Sequence, residues 1–484
     1  MINKYFYVYS LFLFFGCYKI SENDLTMPVI DGVPANWDIA EYKDDYGIND
    51  LWPISEDSTL FYLLESFNIQ NKDILLLDIH DSVSEVYFSL STSDLYPQIS
   101  ISNSLSQGKQ NLSAFGLSDD VLSSDSNDDD SGNQSENSGG FITNSNSLRF
   151  NSSWQLDLWG KIKDSNTSSY YEFQSNNYYN KYAKASLRSQ LIKLYFQSIS
   201  LRKEILIYED NLHNLLTLKN IAEKRALEGI SNYDEFYLAS SKYYLNEASI
   251  TSLKYNYDRS ISRINLLIAQ YLNPEQEFLL DDYPISLDSI PGLISSNLLE
   301  RRPDIVSSKN KVISDRLKLK SDKKIFFPSI SFNTSAGYSS SSLSKLLEQE
   351  FSVWNLGFDI LTPIFYGGKI KDNIKISEYN LDASELDYMK AVVYAIHEVD
   401  DILLYGNSLS ESYEKIAKSE QDMSKALKYA LNSYDLGLVD MVYVLNIQEN
   451  LNSTSIQKNK MLLSKYINRV DLILSLGGTF DYQY

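Results

Sequence analysis

The chain has little of what catalysis, metal binding or covalent cross-linking requires. One cysteine, Cys17, stands in 484 residues, so no intramolecular disulfide can form. The three histidines, His80, His213 and His397, are scattered, with no His-Glu-x-x-His or Cys/His spacing, so neither a metal nor a cofactor is expected. No G-x-S-x-G or P-loop sequence occurs, and nothing pairs a nucleophile with a nearby base, so no enzymatic activity is expected. Positive charge is short: 43 Lys+Arg face 64 Asp+Glu, a net charge of −21, which argues against nucleic acid as a partner. Proline is missing between Pro97 and Pro274 and again after Pro363, which leaves room for very long helices.

What is present begins at the N-terminus. A short basic start, Met1 to Lys4, precedes an apolar run over residues 5–15. That run is too short to span a bilayer but suits the apolar core of a secretory signal, so residues 1–16 are expected to be a signal peptide. The segment Leu13-Phe14-Phe15-Gly16-Cys17 resembles a bacterial lipobox, which implies that Cys17 is lipidated and becomes the mature N-terminus. Tyr18, not Asp, follows it, so nothing there suggests retention at the inner membrane.

The chain also repeats itself. Residues 158–163 read Leu-Trp-Gly-Lys-Ile-Lys and residues 366–371 read Tyr-Gly-Gly-Lys-Ile-Lys, an offset of 208 that also relates Leu201 to Leu409 and Gly229 to Gly437. Earlier in each half the offset is 231, relating Asp73-Ile74 to Asp304-Ile305 and Tyr96-Pro97 to Phe327-Pro328. The difference of 23 falls where the first half carries extra Ser, Asp and Asn. The chain is therefore a tandem duplication of a roughly 200-residue unit with one long loop in its first copy.

Each copy holds two segments of period-two alternation. Ile99 and Ile101 alternate with Ser100 and Ser102, and Trp154, Leu156 and Leu158 follow in the same way; Ile330 and Phe332, then Trp354, Leu356, Phe358 and Ile360, repeat the pattern. The intervening residues are Ser, Asn, Gln and Asp, the weak per-strand signature of a transmembrane β-barrel. Four such strands cannot close a barrel, and open edges in hydrocarbon leave backbone groups unpaired at several kcal/mol each. An obligate oligomer is therefore expected.

Between the strands, apolar residues at 4,3 spacing run from Leu187 through Leu201, Ile205, Leu212 and Leu215 to Ala226, and from Leu409 through Ile416, Met423 and Ala430 to Tyr434. Sustained 3.5-residue spacing predicts coiled-coil packing. The proline-free stretches 160–228 and 368–436 are each long enough for one helix of about 100 Å at 1.5 Å per residue, so these helices belong in water. Both end at glycine, in Gly229-Ile230-Ser231 and Gly437-Leu438-Val439-Asp440, and return helices follow. Ser231, Asn232 and Asp440 are candidate caps for those returns. The two helical hairpin tips are expected far from the membrane. The acidic stretch 118–140 offers no register with both the glycine and the glutamate of a calcium loop, and is expected to be a loop at the barrel rim.

Several motifs together resemble the TolC-like outer-membrane efflux proteins, in their lipid-anchored, NodT-type branch serving RND-type pumps. They are Leu298-Leu299-Glu300-Arg301-Arg302-Pro303-Asp304-Ile305, the stretch from Trp154 to Gly160, and Pro363-Ile364-Phe365-Tyr366-Gly367-Gly368. Arg301, Arg302, Pro303 and Asp304 have an architectural reading, with Pro303 in the first turn of a helix and Asp304 favouring its N-terminal dipole. The resemblance implies a mostly α fold with a small transmembrane β part. It joins a tandem-repeat, long-helix coiled-coil barrel to a trimeric 12-stranded β-barrel with four strands per chain. It implies an outer-membrane channel that passes solutes from an inner-membrane pump, through a periplasmic adaptor, to the outside of a Gram-negative cell. Outer-membrane lipid is then a further partner. The resemblance also implies that the hairpin tips, Gly229-Ile230-Ser231 and Gly437-Leu438-Val439, contact the adaptor, with Asp435 and Asp440 as candidate residues of an acidic aperture in the trimer. Two alternatives stay open: a channel for type I protein secretion, and a coiled-coil lipoprotein without a pore. The expected layout is a lipid-anchored extended segment over 17–57, a first repeat over 58–285, a second over 286–476 and a tail over 477–484. The first repeat holds strands at about 96–106 and 148–158, a rim loop at about 110–147 and helices at about 160–228 and 232–272. The second holds strands at about 327–338 and 352–362 and helices at about 368–436 and 440–475.

Overall fold

The computed structural model describes residues 57–111, 140–269 and 301–478, together with 26–28, 36–38, 283, 287, 293–295 and 480. Cys17, the expected signal peptide, most of segment 17–57 and nearly all of the acidic stretch lie outside the described residues. The described helices are α1 (Ser58–Gln70), α2 (Lys72–Ser93), α3 (Lys161–Leu227), α4 (Tyr233–Leu267), α5 (Pro303–Lys323), α6 (Lys369–Asp435) and α7 (Met441–Ser475). The described strands are β1 (Asn36–Asp38), β2 (Gln98–Asn111), β3 (Gly140–Leu156), β4 (Leu293–Ser295), β5 (Ser329–Ser340) and β6 (Ser352–Leu361). The duplication persists in element lengths: α3 and α6 have 67 residues each, and α4 and α7 have 35 each. No described helix is long and apolar enough to cross a membrane.

The chain divides into two compact units. The first, holding Val86–Tyr170 and Ile313–Leu381, carries an antiparallel sheet in the order β2-β3-β5-β6. Its register sorts side chains cleanly. Ile101 lies opposite Phe150, Phe150 opposite Ala336 and Ala336 opposite Trp354, while Leu156, Ile330 and Ile360 form a second apolar row on the same face. The other face carries Ser100, Ser102 and Ser104 on β2, Ser147, Asn151 and Ser153 on β3, and Ser331, Asn333 and Ser335 on β5. The apolar face is bare in this chain: Trp354 is 80% exposed and Ile101 73%.

In the same unit, each strand pair turns into a helix through a glycine. Gly160 has φ +70°, and Asp157 accepts hydrogen bonds from the N–H groups of Ile162 and Lys163 at 3.1 and 2.8 Å, capping α3. Trp159 donates to the Pro328 carbonyl at 2.7 Å and stacks on Phe327, and Trp154 donates to the Leu95 carbonyl at 3.1 Å. Lys324 pairs with the fully buried Asp164 at 2.5 Å. Ser168 and Ser314 each donate to the other's carbonyl, at 2.8 and 2.9 Å. One heptad away, inside the second unit, Ser175 and Ser307 do the same at 2.9 and 2.8 Å. Small hydroxyl side chains let the α3 and α5 backbones approach closely at these points, and each hydroxyl is satisfied by the facing carbonyl.

The second unit comprises Thr26–Glu85, Tyr171–Val312 and Asp382–Tyr484. Its main core gathers Leu60, Leu63 and Phe67 of α1, Ile192, Tyr195 and Phe196 of α3, Val399 of α6, and Tyr466, Val470 and Ile473 of α7. Phe196 stacks on Tyr466 at 4.7 Å, and Tyr283 stacks on Tyr466 at 4.5 Å. Buried Asp57 caps α1 through the N–H groups of Thr59 and Leu60 and accepts the Tyr195 hydroxyl at 2.7 Å.

The structure corrects several expectations. Strand β3 starts at Gly140 and ends at Leu156, so part of the expected rim loop is strand, while Leu158 and Trp159 lie beyond the strand's end. Strand β2 runs on to Asn111. Helices α1 and α2 and the small β1–β4 pair are additions to the expected layout, while the helix expected to start at Pro303 is α5 and runs on to Lys323. Helix α5 buries Ile305, Val312, Ile313 and Leu317 at helical spacing, and beside them a row of serines, Ser307, Ser314 and Ser321, repeats every seven residues.

Burial, and then the charge and hydrogen bond of Asp57, push the Tyr195 phenol above its ordinary 10.0. A group whose pKa is raised in the fold contributes stability that is present below pH 10 and lost as pH rises further. Tyr195→Phe is therefore expected to flatten the alkaline loss of stability, read as urea midpoints between pH 9 and about 11 compared with the unaltered chain.

Candidate functional site: the paired hairpin tips

Helix α3 ends in a Schellman motif. Gly229 takes φ +72°, Ile230 N–H bonds the Arg225 carbonyl at 2.8 Å, and Gly229 N–H bonds the Ala226 carbonyl at 3.1 Å. Helix α6 ends identically: Gly437 has φ +71°, Leu438 N–H bonds the Ser433 carbonyl at 2.9 Å, and Gly437 N–H bonds the Tyr434 carbonyl at 2.9 Å. A Cβ added at either glycine meets nothing within 4 Å. The left-handed backbone, not crowding, calls for glycine here.

Both tips belong to the second unit, and the structure brings them together. Beneath them lies a small core of Leu215, Leu218, Ala222, Ala239, Ala430, Tyr434, Met441, Val444 and Leu445. Arg225 lies over the Tyr434 ring at 4.5 Å and donates to the Tyr434 carbonyl at 3.2 Å, tying the end of α3 to the end of α6. Burial, followed by Glu235, raises the Tyr434 phenol pKa, against the opposing charge of Arg225. Sequence reasoning misses this clamp, because in the heptad pattern Tyr434 is only the last position.

Beyond that core the tips present bare apolar groups: Leu227, Ile230, Leu436 and Leu438 are all exposed, while Val439 packs against the small core. Asp440 accepts the Tyr443 N–H at 2.8 Å and so caps α7. Asn232 stands at the matching position of α4 without a side-chain cap bond, and the Ser231 hydroxyl has no partner, which corrects their expected capping role. Asp435 is the exposed last residue of α6.

The remaining motif residues sit elsewhere, in structural roles. Pro303 opens α5. Arg302, with its side chain only 4% exposed, donates to both oxygens of Asp304 at 3.1 and 2.8 Å, to Glu398 of α6 at 2.7 Å, and to the Ser475 carbonyl at the end of α7 at 2.8 Å. Burial disfavours the charged guanidinium, but Asp304 and Glu398 outweigh it and raise its pKa. Gly477, at φ +87°, packs on the Arg302 backbone, where an added Cβ would lie 3.2 Å from Arg302 Cα. Arg301 is exposed. Gly367 and Gly368, with φ +59° and +90°, turn the chain from β6 into α6 after Pro363, and Ile364 before them is 94% exposed. Among the described residues no group of His, Cys, Asp and Glu is arranged to hold a metal ion.

A duplicated frame of paired long helices, joined to a two-faced four-stranded sheet, defines the architecture of an outer-membrane channel protomer. The family model of the outer membrane efflux proteins matches residues 70–270 and 294–478, and the chain belongs to that family. It is 22% identical over 422 residues to the cation efflux system protein CusC of Escherichia coli K12, covering 87% of each chain. It is 24% identical over 326 residues to the probable outer membrane lipoprotein SilC of Salmonella typhimurium, covering 67% of this chain and 71% of SilC. Among solved structures, that of CusC superposes with a TM-score of 0.80 at 22% identity, over 94% of this chain and 98% of that one. The Campylobacter jejuni CmeC outer membrane channel gives 0.80 at 22% identity, over 94% and 95%.

Removing the Arg302 side chain leaves Glu398 and the Ser475 carbonyl without their shared donor. Arg302→Ala is expected to destabilise the second unit by about 1–3 kcal/mol, because the Ser475 carbonyl loses its buried donor while Glu398 stays partly solvated, read from chemical denaturation, whereas Arg301→Ala should stay within about 0.5 kcal/mol.

Proposed function

We propose that the chain is the outer-membrane channel of a tripartite efflux system, assembled as a homotrimer and anchored to outer-membrane lipid through Cys17. The sheet carries the reading. Its apolar face suits hydrocarbon and its serine- and asparagine-rich face suits water, while among the described residues β2 and β6 each keep one edge without a partner strand. Neither edge is tolerable in lipid. Three copies, joined β6 to β2, close a twelve-stranded barrel and remove all edges. Membership of the outer membrane efflux family supports this reading.

The hairpin tips are the proposed contacts for a periplasmic adaptor, which links the channel to an inner-membrane pump. Ile230 and Leu438 supply exposed apolar contacts, and the glycine turns keep the approach free of bulk. Gly229, Ser231, Gly437 and Val439 complete the proposed docking tips, and Asp435 and Asp440 are the proposed lining of the aperture. The relatives are named for cation, solvent and toluene efflux, so the exported solute here is a small molecule or ion chosen by the pump.

In mild detergent the protein is expected to be a trimer by light scattering, and in planar bilayers it should conduct ions. A folded monomer, or trimers without conductance, would remove the channel reading and leave a scaffold. Gly437→Glu is expected to cost about 1 kcal/mol at the helix end and to abolish efflux with trimers intact; normal efflux would reduce the tips to helix caps. Cys17→Ser should abolish metabolic labelling with palmitate, and labelling that persists would remove the anchor.

A further inference from the structure

The polar face of the sheet is nearly free of charge, and its exceptions are specific. Across the register of the described strands, that face carries Ser, Asn, Gln, Thr and Gly almost throughout, with two charged residues: Arg149 on β3 and Asp359 on β6. Asp359 lies close to the end of its strand and is held by the Asn333 side-chain amide. Arg149 lies well inside β3, opposite Ser102 on one side and Gly337 on the other. It is exposed, and no carboxylate among the described residues pairs with it. Gly337 is six residues from Ser331, the partner of Asp359, which puts the two charges about 20 Å apart at ~3.3 Å per residue. That exceeds the Debye length of about 10 Å at 0.1 M salt.

The strand pairing at Arg149 is also unusually tight. A Cβ built on Gly337 would lie 2.1 Å from the Leu148 carbonyl oxygen and 2.8 Å from Arg149 Cα. Any side chain at Gly337 would force β5 from β3. Arg149 thus stands on a rigid pair of strands with only hydrogen, hydroxyl and amide neighbours on its face.

We propose that Arg149 sets the ion preference of the barrel: in the trimer three copies form a ring of positive charge on the water-facing wall, favouring anions within a protein of net charge −21. The inference rests on the closed-barrel reading above. Three cations on one perimeter, with Asp359 the only carboxylate at the water-facing positions of the described strands, raise the local potential, and that potential falls as salt shortens the Debye length to about 3 Å at 1 M.

The test is the zero-current potential of the full-length protein in planar bilayers under a KCl gradient. At low ionic strength, Arg149→Gln is expected to raise the potassium-to-chloride permeability ratio roughly twofold, and Arg149→Glu to raise it further. Both differences should shrink near 1 M salt. Arg149→Lys should keep the parent selectivity, which separates charge from side-chain packing. Ser102→Glu, which sets a carboxylate opposite Arg149, should reproduce Arg149→Gln without touching the arginine. Conducting trimers whose selectivity is the same in all four variants would overturn the ring and leave the channel reading standing. A parent chain that neither trimerises nor conducts would overturn both.

Discussion

Backbone hydrogen bonding is the constraint on which the rest of this protein turns. A sheet of four strands satisfies its interior N–H and C=O groups, but among the described residues β2 and β6 each have one edge without a partner strand. In water such edges are a liability for aggregation; in hydrocarbon each unpaired group costs several kcal/mol. The apolar face, with Ile101, Trp354, Phe358 and Ile360 all exposed in one chain, adds a second unmet demand. Lipid satisfies the face, and only another strand satisfies the edge. The membrane, the oligomer and the polar interior are consequences of a single count of strands.

The helical portion solves a different problem, that of packing very long helices without one broad apolar stripe. Helix α3 is rich in Ser, Asn, Lys and Tyr, and its contacts change character along its length. Where it meets α5 the seam is serine on serine, with hydroxyls bonded to the facing carbonyls. Around Phe196 it is a stacked aromatic core, and near its end it is small and aliphatic, around Leu215 and Ala222. A buried polar seam is unstable to partial disruption, because an unpartnered hydroxyl or carbonyl costs about 1–3 kcal/mol. It fixes axial register more firmly than interchangeable aliphatic contacts do.

Much of this is legible in the sequence, and the reasons divide by chemistry. The offsets of 208 and 231 locate both copies, and α3 and α6 fall within a residue of the proline-free stretches that predict them. Alternation finds the four long strands because side chains in a strand point to opposite faces with period two. What stays hidden is polar. The serine seam of α5, Ser307, Ser314 and Ser321, carries no apolar signal of its own, although Ile305, Val312 and Leu317 beside it do. The extension of β3 back to Gly140 passes through Thr143, Ser145 and Ser147, which resemble the loop before them. Arg302 reads in sequence as part of a helix start through its neighbours Pro303 and Asp304. Its partners Glu398 and Ser475 are distant in sequence, and spacing along one chain segment cannot reveal them.

The same distinction governs the tips. Gly229 and Gly437 are visible because a left-handed helix end selects glycine, and the two Schellman motifs match bond for bond. The Arg225–Tyr434 clamp is not visible, since it joins residues of different repeats. Yet the clamp determines how one tip is held against the other: Arg225 is fixed both by the Tyr434 ring and by its carbonyl, while Tyr434 also reaches Glu235 at 3.4 Å. A duplicated chain can hold its two hairpins together through residues that differ between copies, because Arg225 corresponds to Ser433 at the offset of 208. Divergence at that position converts two equivalent hairpins into an ordered pair, with a donor on one and its acceptor on the other. The two hairpins therefore present inequivalent surfaces around a common core.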